Sequence, residues 1–424
     1  MVIQRLVPKM VIASLILLAH LFGQNSEASQ DQQIEYLMQQ VRELQAQVQE
    51  LKAAQPQTAA AADVAPKASG ASIAANEPAT PLETQPLPER PAIQWRGFGE
   101  VNYKVLDQRQ PELGTFGFVP GSAGNFYTGD FDLFLTGRIN DRANVLSEIV
   151  FGEGDAQTFN VDLERLLLKY DFDDHLKLSF GRYHTGIGYY NTAFHTGRWL
   201  QTTADRPLIM EFAAEGGLLP TQAVGFSVTG LIPSGKLGLN YLVEYGSSDT
   251  VRPRIDGSGN EDFNNGNHIN LALFAQPDAV HGLQIGSSFY RDRITDPATG
   301  SSLRLKQTIV NAHAVYTGRS TEFLNEAFLI RHVQEITGEA HDTSAFYSQL
   351  SRRFRGGARP YFRYQFINAG SQSVFSDVSL RHGPSGGIRY DLNEGVAFKL
   401  QFDHTNRKGK QPLNGLQSQL AFTF

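Results

Sequence analysis

The chain has no cysteine, which excludes a thiolate nucleophile, a Cys-ligated zinc and a disulfide framework. Downstream of residue 22 no apolar run approaches the roughly 20 residues a membrane-crossing helix needs, so a multispanning helical membrane protein is excluded. Excess positive charge is lacking as well. The 37 Lys and Arg stand against 43 Asp and Glu, a net of -6, whereas a nucleic-acid binder needs a basic footprint. Trp and Met are scarce, at 2 and 4 of 424 residues, while Phe and Tyr number 28 and 15. That imbalance favours a β-rich protein.

The N-terminus carries the marks of an export signal over residues 1–28. Arg5 and Lys9 form a positive start, Val11 to Phe22 is apolar, and Ser26-Glu27-Ala28 offers small residues for cleavage. Residues 29–54 change character. Ile34, Leu37, Val41, Leu44, Val48 and Leu51 recur at spacings that alternate between three and four, an a/d seam of a coiled coil. A helix of three heptads is too short to stand alone, so it is expected to meet copies of itself in the periplasm. Ile and Val at one seam position with Leu at the other lean to a dimer on simple rules. Residues 55–91 hold Pro56, Pro66, Pro78, Pro81, Pro86, Pro88 and Pro91 amid alanines. Such a segment cannot bury a core and reads as an extended, disordered linker.

From 92 to 424 the pattern has period two. Phe362, Tyr364 and Phe366 interleave Tyr361, Arg363 and Gln365; Val396, Phe398, Leu400 and Phe402 interleave Ala397, Lys399, Gln401 and Asp403; and Leu416, Leu420, Phe422 and Phe424 fall on one face of the last segment. One greasy and one more polar face per strand also suits a soluble antiparallel sheet. The apolar face, however, persists for about ten residues in strand after strand, the length of a tilted membrane-crossing strand. About sixteen strands are expected, near 93–106, 128–139, 143–152, 159–171, 175–183, 222–232, 236–247, 267–276, 280–291, 305–317, 320–331, 342–355, 358–367, 378–391, 394–405 and 414–424. Short joints such as Asn140-Asp141-Arg142 and Gly356-Gly357 alternate with longer ones such as 107–127 and 248–266. This is the layout of a transmembrane antiparallel β-barrel, all-β, with both ends in the periplasm.

In this plan the chain resembles bacterial outer-membrane porins, and the coiled coil ahead of a sixteen-strand barrel is most similar to the phosphate-selective porin O/P group. The terminal Phe424 on an alternating strand resembles the C-terminal assembly signal of that superfamily. The resemblance implies an outer-membrane protein embedded in lipid, a homotrimer, and passive diffusion of small hydrophilic solutes, with phosphate or other anions as candidates. It also implies that a long third external loop folds inward.

One connection is out of scale: 184–221, with His184, His195, Arg198, Arg206 and several aromatics. Long connections in compact proteins tend to be functional. An ordered constriction is the expectation, with an external flap as the alternative. Strand parity points Arg96, Lys104, Arg138, Lys177, Arg353, Arg355, Arg359, Arg363, Arg389 and Lys399 inward, together with Glu100, Asp130, Asp132, Glu148, Glu244, Asp391 and Asp403. Arg353, Arg355, Arg359 and Arg363 fall on one hairpin, a stripe that would guide anions or merely brace the wall through carboxylates. His184 and His195 do not form an HExxH pattern, and Asp256, Ser258, Asn260 and Asp262 lack the Gly and Glu of a calcium loop. No metal, cofactor or catalytic role is expected. The rival to a channel is a structural barrel that tethers its periplasmic coiled coil to the cell wall.

Overall fold

The alternation of apolar and polar residues sets two faces on each strand, and such strands hide their edges only by closing on themselves. The computed structural model of the chain describes residues 93–108, 123–153, 159–195, 197–210, 217–248, 267–295, 304–373, 375 and 378–424. The expected signal peptide, coiled coil and linker lie outside the described residues, as does the 256–262 segment.

The strands are β1 (Ile93–Leu106), β2 (Ala123–Arg138), β3 (Ala143–Glu153), β4 (Phe159–Asp173), β5 (Leu176–His184), β6 (Gln222–Ile232), β7 (Leu239–Ser248) and β8 (His268–Ala275). They continue as β9 (Leu283–Thr295), β10 (Arg304–Thr317), β11 (Thr321–Gln334), β12 (Ala340–Arg352), β13 (Ala358–Ala369), β14 (Leu380–Asp391), β15 (Val396–Arg407) and β16 (Leu413–Thr423). Each pairs antiparallel with its neighbours in chain order, and β1 closes on β16 to complete a barrel of sixteen strands. The closure runs from Phe98 opposite Thr423 to Leu106 opposite Gly415. Phe424 accepts a hydrogen bond from the Gly97 N–H at 2.9 Å and sets its ring edge-on to Trp95.

Short turns are made by the residues that favour them. Asn140 accepts from the backbone of Arg142 and Ala143, and Asp173 from that of His175 and Leu176. At the β12–β13 turn Gly356 and Gly357 take φ of 94° and 87°, which a side chain disfavours.

The outward face is apolar. Leu163, Leu166, Leu168, Phe180, Leu271, Phe289, Val310, Leu329, Phe346, Phe362 and Phe402 are exposed, a belt that water would not tolerate and lipid does. Inward positions carry Asn, Gln, Glu, Arg and Lys that the barrel buries. On β13, Arg363 is 1% exposed beside Phe362 at 54%.

Two departures from simple alternation matter. Over β9–β13 many inward residues are apolar: Tyr290, Ile309, Leu324, Phe328, Tyr347 and Ile367 form a cluster with Ile187, Tyr190, Ile209, Met210, Leu218 and Leu219 of the 184–221 connection. The inner wall is greasy there because protein, not water, covers it. On β3–β4 the register slips: Glu148 faces Arg165 while Ile149 faces Leu163. Glu164 is therefore the extra residue of a β-bulge.

Candidate functional site

The connection leaves β5 and returns to β6 through a closed neck. Thr185 donates its N–H to the Thr221 carbonyl at 3.0 Å and its hydroxyl to that of Pro220 at 2.6 Å. The Asn191 amide nitrogen spans the neck, donating to the Thr185 carbonyl at 2.8 Å and the Thr221 carbonyl at 2.9 Å.

Past the neck, backbone polarity sorts itself against the wall. The first half donates N–H groups to carboxylates. Gly186 donates to Glu244 of β7 at 3.0 Å, and Tyr189 and Tyr190 donate to Glu326 of β11 at 2.7 and 2.9 Å. Gly197 donates to Asp132 of β2 at 2.7 Å. Gly188 takes φ of 82°, and a Cβ there would lie 2.3 Å from a Glu326 oxygen, so the close approach requires glycine. One short helix, α1 (Tyr190–Phe194), follows from this anchoring.

In the second half, carbonyls accept from cations. Lys399 of β15 donates to the Arg198 carbonyl at 2.5 Å and the Thr203 carbonyl at 3.0 Å. Arg389 of β14 donates to those of Trp199 at 2.5 Å and Gln201 at 2.9 Å. Arg363 of β13 reaches the Asp205 carbonyl at 2.8 Å, and Arg359 the Thr202 hydroxyl at 3.2 Å. Lys104 of β1 closes the set with an ion pair to Asp205 at 2.9 Å. Most of these partners are neutral carbonyls, but two of the cations also face a carboxylate: Lys104 pairs with Asp205 and Arg389 with Asp391 at 2.7 Å.

Burial pushes the Asp205 carboxyl up, but Lys104, Arg198 and Arg363 beside it more than offset this, and it lies below its ordinary value. Burial pushes the Tyr190 phenol up to about 12. It also pushes the His195 imidazole down to about 4, with Glu164 opposing and Arg206 and Arg165 adding to the push.

The residues singled out from the sequence divide into three groups. Arg359 and Arg363 meet the connection, as do Lys104, Arg389 and Lys399, which parity alone also pointed inward. Arg353 and Arg355 do not join them: β12 ends at Arg352, so both fall in the exposed turn, where Arg353 pairs with Asp391. The glycine pair begins the reversal earlier than the periodicity suggests, and the four-arginine stripe is corrected to two. Arg206 turns back to donate to the His195 carbonyl at 3.1 Å, and the Arg198 guanidinium lies 3.9 Å from Glu100.

His184 and His195, read as having no metal motif, stack at 3.7 Å with Glu164 beside them. Glu322 and Glu326 escaped notice altogether; the two-residue alternation of β11 was the signal that would have found them. A GxSxG pattern, Gly383-Pro384-Ser385-Gly386-Gly387, lies inside β14 and makes no strand-to-helix elbow.

No protein-family model matches the chain, and no curated protein matches it in sequence. Solved structures do. The chain is similar to an anion-selective porin from Comamonas acidovorans, at 12% identity and TM-score 0.52, over 78% of this chain and 99% of that one. Similarity to OmpF of Salmonella typhi in complex with daunomycin is 12% with TM-score 0.52, over 78% and 97%. A trimer form of in-vitro folded OmpT, an outer membrane protein of Vibrio cholerae, gives 12% and 0.50, over 78% and 99%. What is shared at these identities is the fold. Closed barrel and apolar exterior together put the chain in the bacterial outer membrane.

Proposed function

We propose that the protein is a passive channel through which small hydrophilic solutes cross the outer membrane, without catalysis or cofactor. In this reading the 184–221 connection folds inward to narrow the lumen, and the passage prefers anions, phosphate among them. The observation that carries it is the anchoring of the connection to inward side chains of eight strands: β1, β2, β7, β11, β13, β14, β15 and β16. An external flap would have no access to them. Sixteen strands leave room for an aqueous lumen around such a segment. The anion preference rests on Lys399, Arg389 and Arg363, cations set against the carbonyls of the connection in a low-dielectric surround, with Arg389 also paired to Asp391; the anion-selective porin of the same fold supports it by analogy.

Planar-bilayer recording tests the reading. Stepwise conductance is expected, with a reversal potential in a salt gradient on the anion side, most pronounced at low salt where screening is weak. Silence across the bilayer would leave the tethering barrel, a reading that the apolar cluster between connection and wall also favours.

Assembly as a homotrimer is part of the proposal, supported by the trimer form of OmpT and by the heptad residues Ile34, Leu37, Val41, Leu44, Val48 and Leu51. The native mass in mild detergent is expected to be three times that of the chain. The Leu37→Asp, Leu44→Asp double variant puts charge into the seam, where burial is costly, and is expected to lower the trimer fraction. A monomeric wild type sinks the trimer; a fully trimeric variant sinks only the role of the coiled coil.

A further inference from the structure

Glu164, His184 and His195 meet where the connection leaves the wall, and their position has three separate structural causes. The β-bulge on β4 turns two successive side chains inward, so that Glu164 and Arg165 are both buried between the exposed Leu163 and Leu166. Bulges re-aim side chains in this way. His184 is the last residue of β5, and His195 follows α1. All three side chains are buried, and their ligand atoms lie within 4.8 Å of one another.

The hydrogen bonds around His195 determine its tautomer. The amide nitrogen of Asn191 donates to the neck carbonyls of Thr185 and Thr221, so its oxygen is the atom 2.7 Å from His195 Nδ1. Nδ1 must then carry the hydrogen, and Nε2 presents a lone pair. That lone pair faces Glu164 Oε2 at 3.3 Å. His184 Nε2 lies 3.5 Å from the same oxygen and 4.0 Å from Glu148 Oε2. The His195 lone pair and the carboxylate repel at this range unless a proton or a metal cation lies between them.

We propose that these residues form a site for a divalent first-row transition cation such as Zn²⁺, bound by His184 Nε2, His195 Nε2 and Glu164 Oε2. Ligand bonds of about 2.0–2.1 Å place neighbouring donors about 3.3–3.4 Å apart in a tetrahedron, and the observed 3.3 and 3.5 Å match those edges. Two imidazoles and one carboxylate suit such a cation and leave a fourth position for water. The His195 Nδ1–H to Asn191 bond is the outer-shell contact that orients a ligating histidine, and the Gln222 amide, which donates to the same Glu164 oxygen, steadies the carboxylate. Glu148 and Arg165 pair beside the site, so Glu164 keeps a local negative charge to balance a dication. The rings stack at 3.7 Å with their planes 27° apart, so they must fan apart for both nitrogens to reach one cation. Bound there, the cation ties the start of the connection to β4.

Titration calorimetry of ZnCl2 into the folded, detergent-solubilised chain near neutral pH tests the site. One zinc per chain is expected, with affinity falling at least ~10-fold in Asn191→Ala and further in His195→Ala. Wild type without saturable uptake, as when only a proton bridges the pair, overturns the proposal, and so does undiminished uptake by His195→Ala. Zinc K-edge absorption on the wild type stands independently of variant folding: imidazole scattering from two ligands is expected, and its absence overturns the site.

Discussion

The triple variant Arg363→Met, Arg389→Met, Lys399→Met is expected to raise single-channel conductance several-fold and to shift the reversal potential toward cations. The three cations donate to five loop carbonyls: Arg198, Thr203, Trp199, Gln201 and Asp205. Methionine fills similar space and donates nothing. Each buried acceptor left unmade costs roughly 1–3 kcal/mol, so the five together disfavour the docked segment by more than the ~1 kcal/mol scale of a single contact. Residues 198–205 then leave the wall and take up water. Loss of three positive charges, one of them paired with Asp391, meanwhile weakens the field proposed to concentrate anions. The two effects separate experimentally. Lys399→Met alone forfeits one charge and two bonds and is expected to move selectivity with a small change in conductance. An unaltered conductance in the triple variant would show that the segment does not limit flow, and an unaltered reversal potential would remove the anion preference.

Placing a carboxylate in the apolar cluster is expected to release the connection from the opposite side. Ile209 and Leu219 are 1% and 2% exposed against Tyr290, Ile309, Leu324 and Phe328. Ile209→Asp exchanges favourable burial for an unpaired charge, a penalty of several kcal/mol, whereas Ile209→Leu keeps volume and costs less than ~1.5 kcal/mol. The barrel ladder does not depend on this contact, so the variant is expected to fold and insert. Its connection is expected to be cut by protease in minutes where wild type resists, with a lower melting temperature. Equal protease resistance in wild type and Ile209→Asp would show that the cluster does not hold the connection.

Much of the barrel was legible in the chain because its physics is local. A strand between lipid and a wetter interior has to alternate, and Phe362 against Arg363 or Phe402 against Gln401 states that requirement residue by residue. Turns were legible for the same reason: Asn140 and Gly356-Gly357 act within a few residues of themselves. Errors arose where alternation continued past its cause. The expected β12 ran to 355, since Arg353, Phe354 and Arg355 alternate, yet the glycine pair starts the reversal after Arg352. Inward apolar residues such as Ile309 and Leu324 broke the expectation of a polar lining, because what covers them comes from a segment about a hundred residues away.

The sequence by itself determined a cysteine-free chain whose last 333 or so residues alternate as about sixteen barrel strands, since period and turn chemistry are properties of neighbours along the chain. Only the tertiary structure decided how the 184–221 connection is held. Glu244 and Glu326 receive its N–H groups, while Arg389 and Lys399 hold its carbonyls. Only the tertiary structure, too, brought Glu164 to His184 and His195. Those pairings join residues twenty to two hundred positions apart, and which inward side chain meets which loop atom depends on barrel closure and on one slipped register in β4, neither of which has a local signature.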